Sequence, residues 1–403
     1  MSAPEHAFWN TQPVVQRSLA TTEVREVEAI DPTAHPDVPL PLPEHLSWCT
    51  IDPLNESELD ELYKLLYSFY VEDKTAMFRF AYSKDILKWW LTSPGCLREY
   101  SIGIRDDRKE KKLVGYISGV VSDYEIRGTN TFCKPMQSII FLCLDREYRN
   151  SKLAPVLIQE ITRRSYKNGV FQAVYTAGVK LTPPVQVATY FHRLIDPIKL
   201  ARIEFARRPK RVSEREYGFA YRLPTLLSTL QTRVRAGMKE DLERLQELYN
   251  TYSSRYRLRQ LYGADLFKHL FTHKPGVMHV LVMTGAPETP YVDKPIAFLA
   301  YYLVETTVLR KEVKKLYPRM CTGYIYQYAL ADEADIDLKT LFLAALHDMK
   351  NHNVDVCTCL NVAGNAEILG PLTFERGDGT LNYHLFNIQW GQLELSDIGV
   401  VLI

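Results

Sequence analysis

An apolar pattern at helical spacing, Leu59, Leu62, Leu66 and Phe69, returns 183 residues later as Leu242, Leu245, Tyr249 and Tyr252. The strand-like run 113–117 returns at 296–300, and Phe141 returns as Tyr324, both at that same offset. The helix face Ala154, Leu157, Ile158, Ile161 reappears 184 residues on as Leu338, Leu341, Phe342, Ala345, and the strand opening at Val170 reappears at Val354. Ala177-Gly178 and Ala363-Gly364 close the series at an offset of 186. Six matches in chain order with so little drift imply an internal duplication. A period this long means two copies of a domain, not a solenoid.

Each copy reads as a helix, antiparallel strands, and then strand–helix–strand. Acidic Glu56 and Glu58 suit the start of the first helix, and strands are expected at 101–105, 113–121, 138–144 and 170–175. On length alone, 403 residues accommodate two or three domains; the duplication narrows this to two α/β units behind a leading arm. Residues 1–45 carry Pro32, Pro36, Pro39, Pro41 and Pro43, which suit an extended segment and not a helix. Two readings stand for the aromatic pair Phe8-Trp9 in that arm: a staple onto the body, or a flap over a ligand. The basic stretch 207–217 (RRPKRVSEREY) marks the junction and reads as a solvated loop.

Charge and cysteine usage exclude several classes. Lys plus Arg number 49 against 48 Asp plus Glu, a net charge of +1, which argues against a dedicated nucleic-acid binder. No apolar run approaches the roughly 20 residues a membrane helix needs. The opening MSAPEHAFWNTQPV lacks the basic start and apolar stretch of a signal peptide. Seven cysteines are scattered along the chain, and the one close pair, Cys357-x-Cys359, falls in an expected strand with poor metal spacing. A cytoplasmic protein with free thiols and no metal is expected.

One local pattern points to a ligand. The strand ending at Leu144 feeds the loop 145–152 and a helix opening Leu153-Ala154-Pro155, where the missing N–H of Pro155 costs little. Arg149 and Lys152 beside such a helix start suit a phosphate group; an ordinary surface loop is the plainer reading. The corresponding loop of the second copy, 331–337 (ADEADID), is acidic, so only the first copy would hold an anion.

Six segments in chain order then carry a resemblance over nearly the whole sequence. They are FWNTQPV (8–14), YVEDKTAMFRFAYS (70–83), FLCLDREYRNSKLAPVLIQEITRR (141–164), QAVYTAGVKL (172–181), YFHR (190–193) and GDGTLNYHLFN (377–387). These resemble the successive signature segments of the N-myristoyltransferase family, a duplicated GNAT acyltransferase fold. The resemblance implies an α/β fold of the α+β type, in which two tandem GNAT-like units related by a pseudo-twofold axis surround a saddle-shaped mixed sheet. It divides the chain into an arm over CoA (1–45), an acyl-CoA-binding unit (46–210) and a peptide-binding unit carrying the C-terminal carboxylate (211–403). The implied reaction moves myristate from myristoyl-CoA to the N-terminal glycine of peptides and nascent proteins, without a metal. A monomer is expected.

The resemblance also implies roles. The backbone N–H groups of Phe141 and Leu142 match an oxyanion hole, which requires a break in strand pairing there. The C-terminal carboxylate of Ile403 matches the base that deprotonates the glycine amine, and Thr176 and Tyr70 match the hydroxyls that orient it. His6, Ala7, Phe8 and Trp9 match the arm over CoA. Phe141, Leu142, Cys143 and Leu144, with Arg149, Asn150, Ser151, Lys152, Leu153, Ala154 and Pro155, match the segment gripping the cofactor. Cys143 lacks a nearby base in sequence and reads as a packing thiol. The peptide side matches Tyr70, Val71, Asp73, Phe78, Phe80, Tyr82, Thr176, Gly178, Tyr190, His192, Thr306, Tyr324, Asp378 and Gly379. Core packing explains Phe78 and Phe80 equally well, and Gly377-Asp378-Gly379 is also a plain turn signal. Beside this reading stand a GNAT-type acyltransferase of another chain length, and a non-catalytic binder of acyl-CoA or of N-terminal glycines.

Two departures from the family pattern matter. Arg149-Asn150-Ser151-Lys152 replaces a denser Arg-Ser-Lys-Arg run, so weaker phosphate binding is expected. Asp73-Lys74-Thr75 replaces three aspartates, so two negative charges become one positive and one neutral. Much of the family's preference for a basic residue downstream in the peptide should therefore be lost. Turnover of glycine peptides with Lys or Glu at the seventh position is expected to be similar, or to favour Glu; a strong Lys preference would refute this.

Overall fold

The computed structural model describes residues 7–18, 20–31, 36–71 and 77–402. Among them fourteen strands join one mixed sheet. The first copy contributes β1 (Leu46–Thr50), β2 (Phe78–Ala81), β3 (Ile102–Asp106), β4 (Lys112–Arg127), β5 (Thr131–Leu144), β6 (Ala173–Ala177) and β7 (Gln186–Leu194). The second contributes β8 (Val234–Ala236), β9 (Leu258–Leu261), β10 (Met278–Thr284), β11 (Pro295–Val308), β12 (Arg319–Leu330), β13 (Val356–Leu360) and β14 (Glu375–Phe386).

The sheet order is β1-β3-β4-β5-β6-β14-β7-β13-β12-β11-β10-β8, with β2 added on β11 and β9 on β4. Exchanging each strand for its duplicate, β1 with β8 through β7 with β14, returns the same order read backwards. The repeat in the sequence is thus a pseudo-twofold in space, with its axis between β14 and β7. The units are also interleaved. β14 lies between β6 and β7 of the first copy, and β7 pairs with β13 of the second. Separate domains, the reading that length alone allows, are replaced by one shared sheet.

Local chemistry explains the helices. Asn55 caps the helix Glu56–Phe69 by accepting from the N–H groups of Ser57 and Glu58, with Glu56 and Glu58 in the first turn. Its buried Leu59, Leu62, Leu65 and Leu66 face inward. They pack in a single core with Leu245, Leu248 and Tyr249 from the duplicate helix Leu242–Ser253. A core that crosses the axis leaves neither copy with a complete interior of its own.

β4 and β5 extend well past their apolar stretches. The outer part of this hairpin is held from the second copy: β9 pairs with 123–126, and the Arg259 guanidinium forks onto Glu125 at 3.0 and 3.2 Å. Sequence periodicity misses this half because its support is non-local. On their other side, β5 and β6 run parallel for only two residue pairs, Gln137↔Ala173 and Ser138↔Val174. Beyond them the sheet splays.

Gly95 sits where the backbone crosses β4, accepting from the Val121 N–H at 2.9 Å. Its φ is +91°, and a Cβ there would lie 2.1 Å from the Val121 carbonyl oxygen. Gly169, at φ +72°, has nothing within 4 Å of such a Cβ. Gly95→Ala is therefore expected to cost about 2 kcal/mol or more in denaturant unfolding, and Gly169→Ala only about 1 kcal/mol.

Candidate active site

The splay between β5 and β6 opens into a cavity of about 620 Å³ that continues beneath β2, β7, β11, β12 and β13. Its inner part is largely apolar, walled by Ile139 and Ile140, by Ile158 and Ile161 of the helix Leu153–Lys167, and by Phe171 and Phe386. Its outer part is ringed by hydroxyl-bearing side chains, among them Tyr70, Tyr82, Thr176, Tyr190, Tyr302 and Tyr324. No Asp, Glu, Lys or Arg lines it among the described residues, and His192 is its one imidazole.

At the junction of the two parts β5 breaks its ladder. Tyr116 faces Cys143 and Ser118 faces Ile140, so Phe141 and Leu142 together stand opposite Ile117. Phe141 adopts φ +55°, a left-handed conformation uncommon for a bulky residue. This is the bulge the sequence comparison required at that point. The Phe141 ring is buried and packs edge-on against Tyr70 and Tyr82, at 5.6 and 5.4 Å between centroids. Burial, the largest influence, holds the Tyr70 phenol well above its ordinary pKa, so it stays protonated at neutral pH.

The cofactor-type residues divide by place. Cys143 and Leu144 are buried in the core; the Cys143 thiol donates to the Leu65 carbonyl at 3.9 Å and does not line the cavity. Arg149, Asn150, Ser151 and Lys152 are exposed, and Arg149 donates to the Phe69 carbonyl at 2.7 Å. The helix that begins at Leu153 is entered through Lys152 at φ +60° with no side chain capping it. Pro155 has no N–H, so the first-turn donors are Leu153 and Ala154. On the arm, Trp9 is buried and stacks on Tyr175 at 5.5 Å and 7°, with Phe8 edge-on to it. Trp9 lines the cavity, so it acts both as a staple and as part of the wall. Ala7 is exposed, and His6 lies outside the described residues.

On the peptide side, Val71, Phe80, Tyr82, Thr176, Gly178, Tyr190, His192, Tyr324 and Gly379 all line the cavity. Three others do not. Phe78 packs against Phe205, which in turn meets His192. Thr306 is buried beneath β2, opposite Phe80, with its hydroxyl unpartnered. Asp378 is exposed in a bulge between Arg376 and Thr380, and its charge acts on His192. Asp73 and Ile403 lie outside the described residues.

The second copy has the matching splay between β12 and β13, but it is filled. Ile398, Gly399 and Val401 lie against 325–328 of β12, leaving about 10 Å³. Gln327 donates to the Gly399 carbonyl at 3.0 Å, and Tyr383 to the Val400 carbonyl at 2.9 Å. This threaded segment delivers Leu402 into the wall of the first copy's cavity. The apolar run 399–402 is therefore packed as its composition suggests.

Sequence reasoning missed the polar patch on the inner wall. Gln137, Ser165 and Gln172 line it; the Ser165 hydroxyl donates to Gln137, whose own amide nitrogen has no partner. It also missed Tyr302 and Thr358, the latter hydrogen-bonded to His192 Nδ1 at 2.9 Å. A polar residue inside an apolar strand was the available signal, but only the splay shows which face is open.

The duplicated mixed-sheet scaffold holds a bulged strand aimed into a long cavity, an uncapped helix start and a largely apolar inner wall, an arrangement suited to a long apolar chain joined to an anionic group. Family models described as Myristoyl-CoA:protein N-myristoyltransferase match its N-terminal domain over residues 26–188 and its C-terminal domain over 202–399. The glycylpeptide N-tetradecanoyltransferase of Aspergillus fumigatus is 35% identical, over 95% of this chain and 78% of its own length. That of Drosophila melanogaster is 32% identical over 99% of this chain and 81% of its own. A crystal structure of Saccharomyces cerevisiae N-myristoyltransferase with bound myristoyl-CoA superposes with a TM-score of 0.91 at 32% identity, covering both chains completely. This chain belongs to the N-myristoyltransferase family.

Burial pushes the His192 imidazole down to about 4, against a smaller opposing pull from Asp378. Burial, helped by Lys180, pushes His384 down to about 4 as well. In the unfolded chain both titrate near 6.5. Between these values the unfolded state binds protons that the folded state refuses, so stability is full above pH 6.5 and is lost as pH falls toward 4. Thermal unfolding midpoints are expected to fall across that window, and less steeply in His384→Gln.

Proposed function

We propose that this chain transfers a tetradecanoyl group from myristoyl-CoA to the amino group of N-terminal glycines. The observation that carries the reading is the Phe141-Leu142 bulge, set between an apolar tunnel and a polar vestibule. The apolar tunnel accepts the acyl chain; each buried methylene is worth up to about 0.8 kcal/mol, so acetyl-CoA would bind far more weakly. The uncapped amides of Leu153 and Ala154, with Lys152 and Arg149, receive the CoA phosphates. Residues 1–45 close over the cofactor, 46–210 hold it and form most of the peptide groove, and 211–403 add Tyr324 and Gly379 to that groove and supply the C-terminal carboxylate.

The amine nitrogen attacks the thioester carbonyl, a C–N bond forms, and the C–S bond breaks as the CoA thiolate leaves and takes up the second proton that the nitrogen sheds in becoming an amide. The Phe141 and Leu142 N–H groups, released from strand pairing by the bulge, stabilise the oxyanion in between. The amine, with a pKa about 8, must first lose a proton. No carboxylate side chain lines the cavity among the described residues, while Leu402, the chain neighbour of Ile403, does line it. Both facts support the chain-terminal carboxylate of Ile403 as the acceptor. Thr176 and Tyr70 orient the amine, and Gly178 keeps the backbone beside it open. The enzyme acts as a cytoplasmic monomer on N-terminal glycine peptides and nascent proteins, without nucleic acid and without a catalytic metal. Among the described residues no helix is long and apolar enough to cross a membrane.

Incubating a glycine-initiated peptide with mixed acyl-CoAs is expected to yield the tetradecanoyl amide as the main product by mass spectrometry. An acetylated or unmodified peptide would overturn the reading. Thr176→Val should lower kcat/KM about tenfold, the equivalent of one hydrogen bond. Adding one residue after Ile403 should abolish turnover while leaving myristoyl-CoA binding intact; retained turnover would exclude that carboxylate as the base.

A further inference from the structure

His279, Asp348 and His352 each present a ligand atom, and these atoms lie within 4.8 Å of one another. None of the three lines the cavity. His279 is on β10; Asp348 lies near the C-terminal end of the helix Leu338–Asn351, and His352 caps that end. Helix spacing places the two helical residues one turn apart on one face.

The surroundings already orient a ligand set. His352 Nδ1 is 2.8 Å from the Asp348 carbonyl oxygen, which can only accept, so Nδ1 carries the proton and Nε2 keeps its lone pair. The Tyr301 hydroxyl donates to the Asp348 carboxylate at 2.6 Å. Donation of the second ring nitrogen to a carbonyl and a hydrogen-bonded carboxylate are the supports that metal ligands commonly have. His279 is 2% exposed, and its Nδ1 has no hydrogen-bond partner. That nitrogen faces Asp348 at 3.8 Å, too far for a hydrogen bond. The ring is held in place by stacking on Tyr301, its cross-strand neighbour, at 4.9 Å.

Electrostatics favour a cation here. Asp348 places a carboxylate at the negative end of a helix, where an anion is disfavoured and a positive ion is stabilised. We propose that His279, Asp348 and His352 form a binding site for one divalent transition-metal ion of the zinc type, separate from the transfer site and fastening the end of this helix to β10. Two imidazoles and a carboxylate suit Zn²⁺ with water in the fourth position. Bonds of about 2.0–2.2 Å require the three ligands to draw closer together. His352 can supply that movement, since its side chain is 46% exposed and sits at the helix end. It also leaves the ion a path from solvent. Binding moves the His279 ring proton to Nε2 and gives up the long 3.4 Å contact that Nε2 receives from the Gly276 N–H.

The full chain, freed of metal by a chelator, is titrated with Zn²⁺ by calorimetry and with Co²⁺ by visible absorption. One equivalent is expected to bind, with the intense absorption of a low-coordinate Co²⁺ site, and Zn²⁺ should raise the thermal midpoint. His352→Ala, at an exposed position, should fold normally, keep its transfer activity, weaken binding at least about tenfold and lose the thermal shift. Tyr301→Phe should weaken binding about 10-fold through Asp348. Equal affinity in the wild-type chain and His352→Ala overturns the proposal, as does binding that disappears on changing the exposed Cys133 to Ser.

Discussion

β5 and β6 pair for two residues and then separate, and most of the molecule's capability follows from that parting. A parallel pair that diverges leaves backbone groups without partners and opens the sheet to whatever can occupy the gap. β14 from the other copy closes the far side by pairing with β6 through 382–386. The near side stays open as the cavity. The bulge at Phe141 and Leu142 turns the last stretch of β5 toward that opening, and the helix beginning at Leu153 follows directly from it. The cavity wall at Ile139 and Ile140, the bulge at Phe141 and Leu142 and the uncapped helix start at Leu153 are consecutive parts of one strand–loop–helix.

Duplication then let the same geometry serve two ends. In the second copy β12 and β13 also pair briefly, over 322–324 with 356–358, and separate. There the gap is plugged by the chain's own residues 398–401. The plug is what carries Leu402 across to the first copy's cavity. The loops that follow the two strands diverged in charge: Arg149 and Lys152 in one, the acidic run 331–337 in the other. One copy kept an open cavity, and the other became a conduit for residues 398–402.

Much of this is legible in the sequence because it depends on local pattern. The helices containing Leu59 and Leu245 announce themselves by spacing and caps, and the duplication by its constant offset. Phe80, Tyr82, Thr176, Tyr190, His192 and Tyr324 could be grouped by motif and do meet at one cavity. Other placements had no local signal. Phe78 and Phe80 alternate identically on paper, yet Phe78 is drawn to Phe205 by the turn of β2 onto β11. Gln137 looks like a strand residue until the splay shows that its amide borders the tunnel. His279 and His352 are 73 residues apart in chain numbering, and only the packing of a helix onto β10 brings their rings to 4.6 Å.

Local pattern in the chain therefore specifies the repeat, the helix starts, the family and several of the side chains that line the cavity, because these follow from periodicity and from motifs read within a few residues. Tertiary structure alone decided which strand of one copy completes the other, which of two equivalent gaps stays open, and where the chain's apolar end goes. The first depends on pairings between residues more than 160 positions apart, and the other two on contacts such as that of Gln327 with Gly399, 72 positions apart. Hydrogen-bonding groups left at a strand edge must be satisfied by some partner, and no local pattern specifies which one.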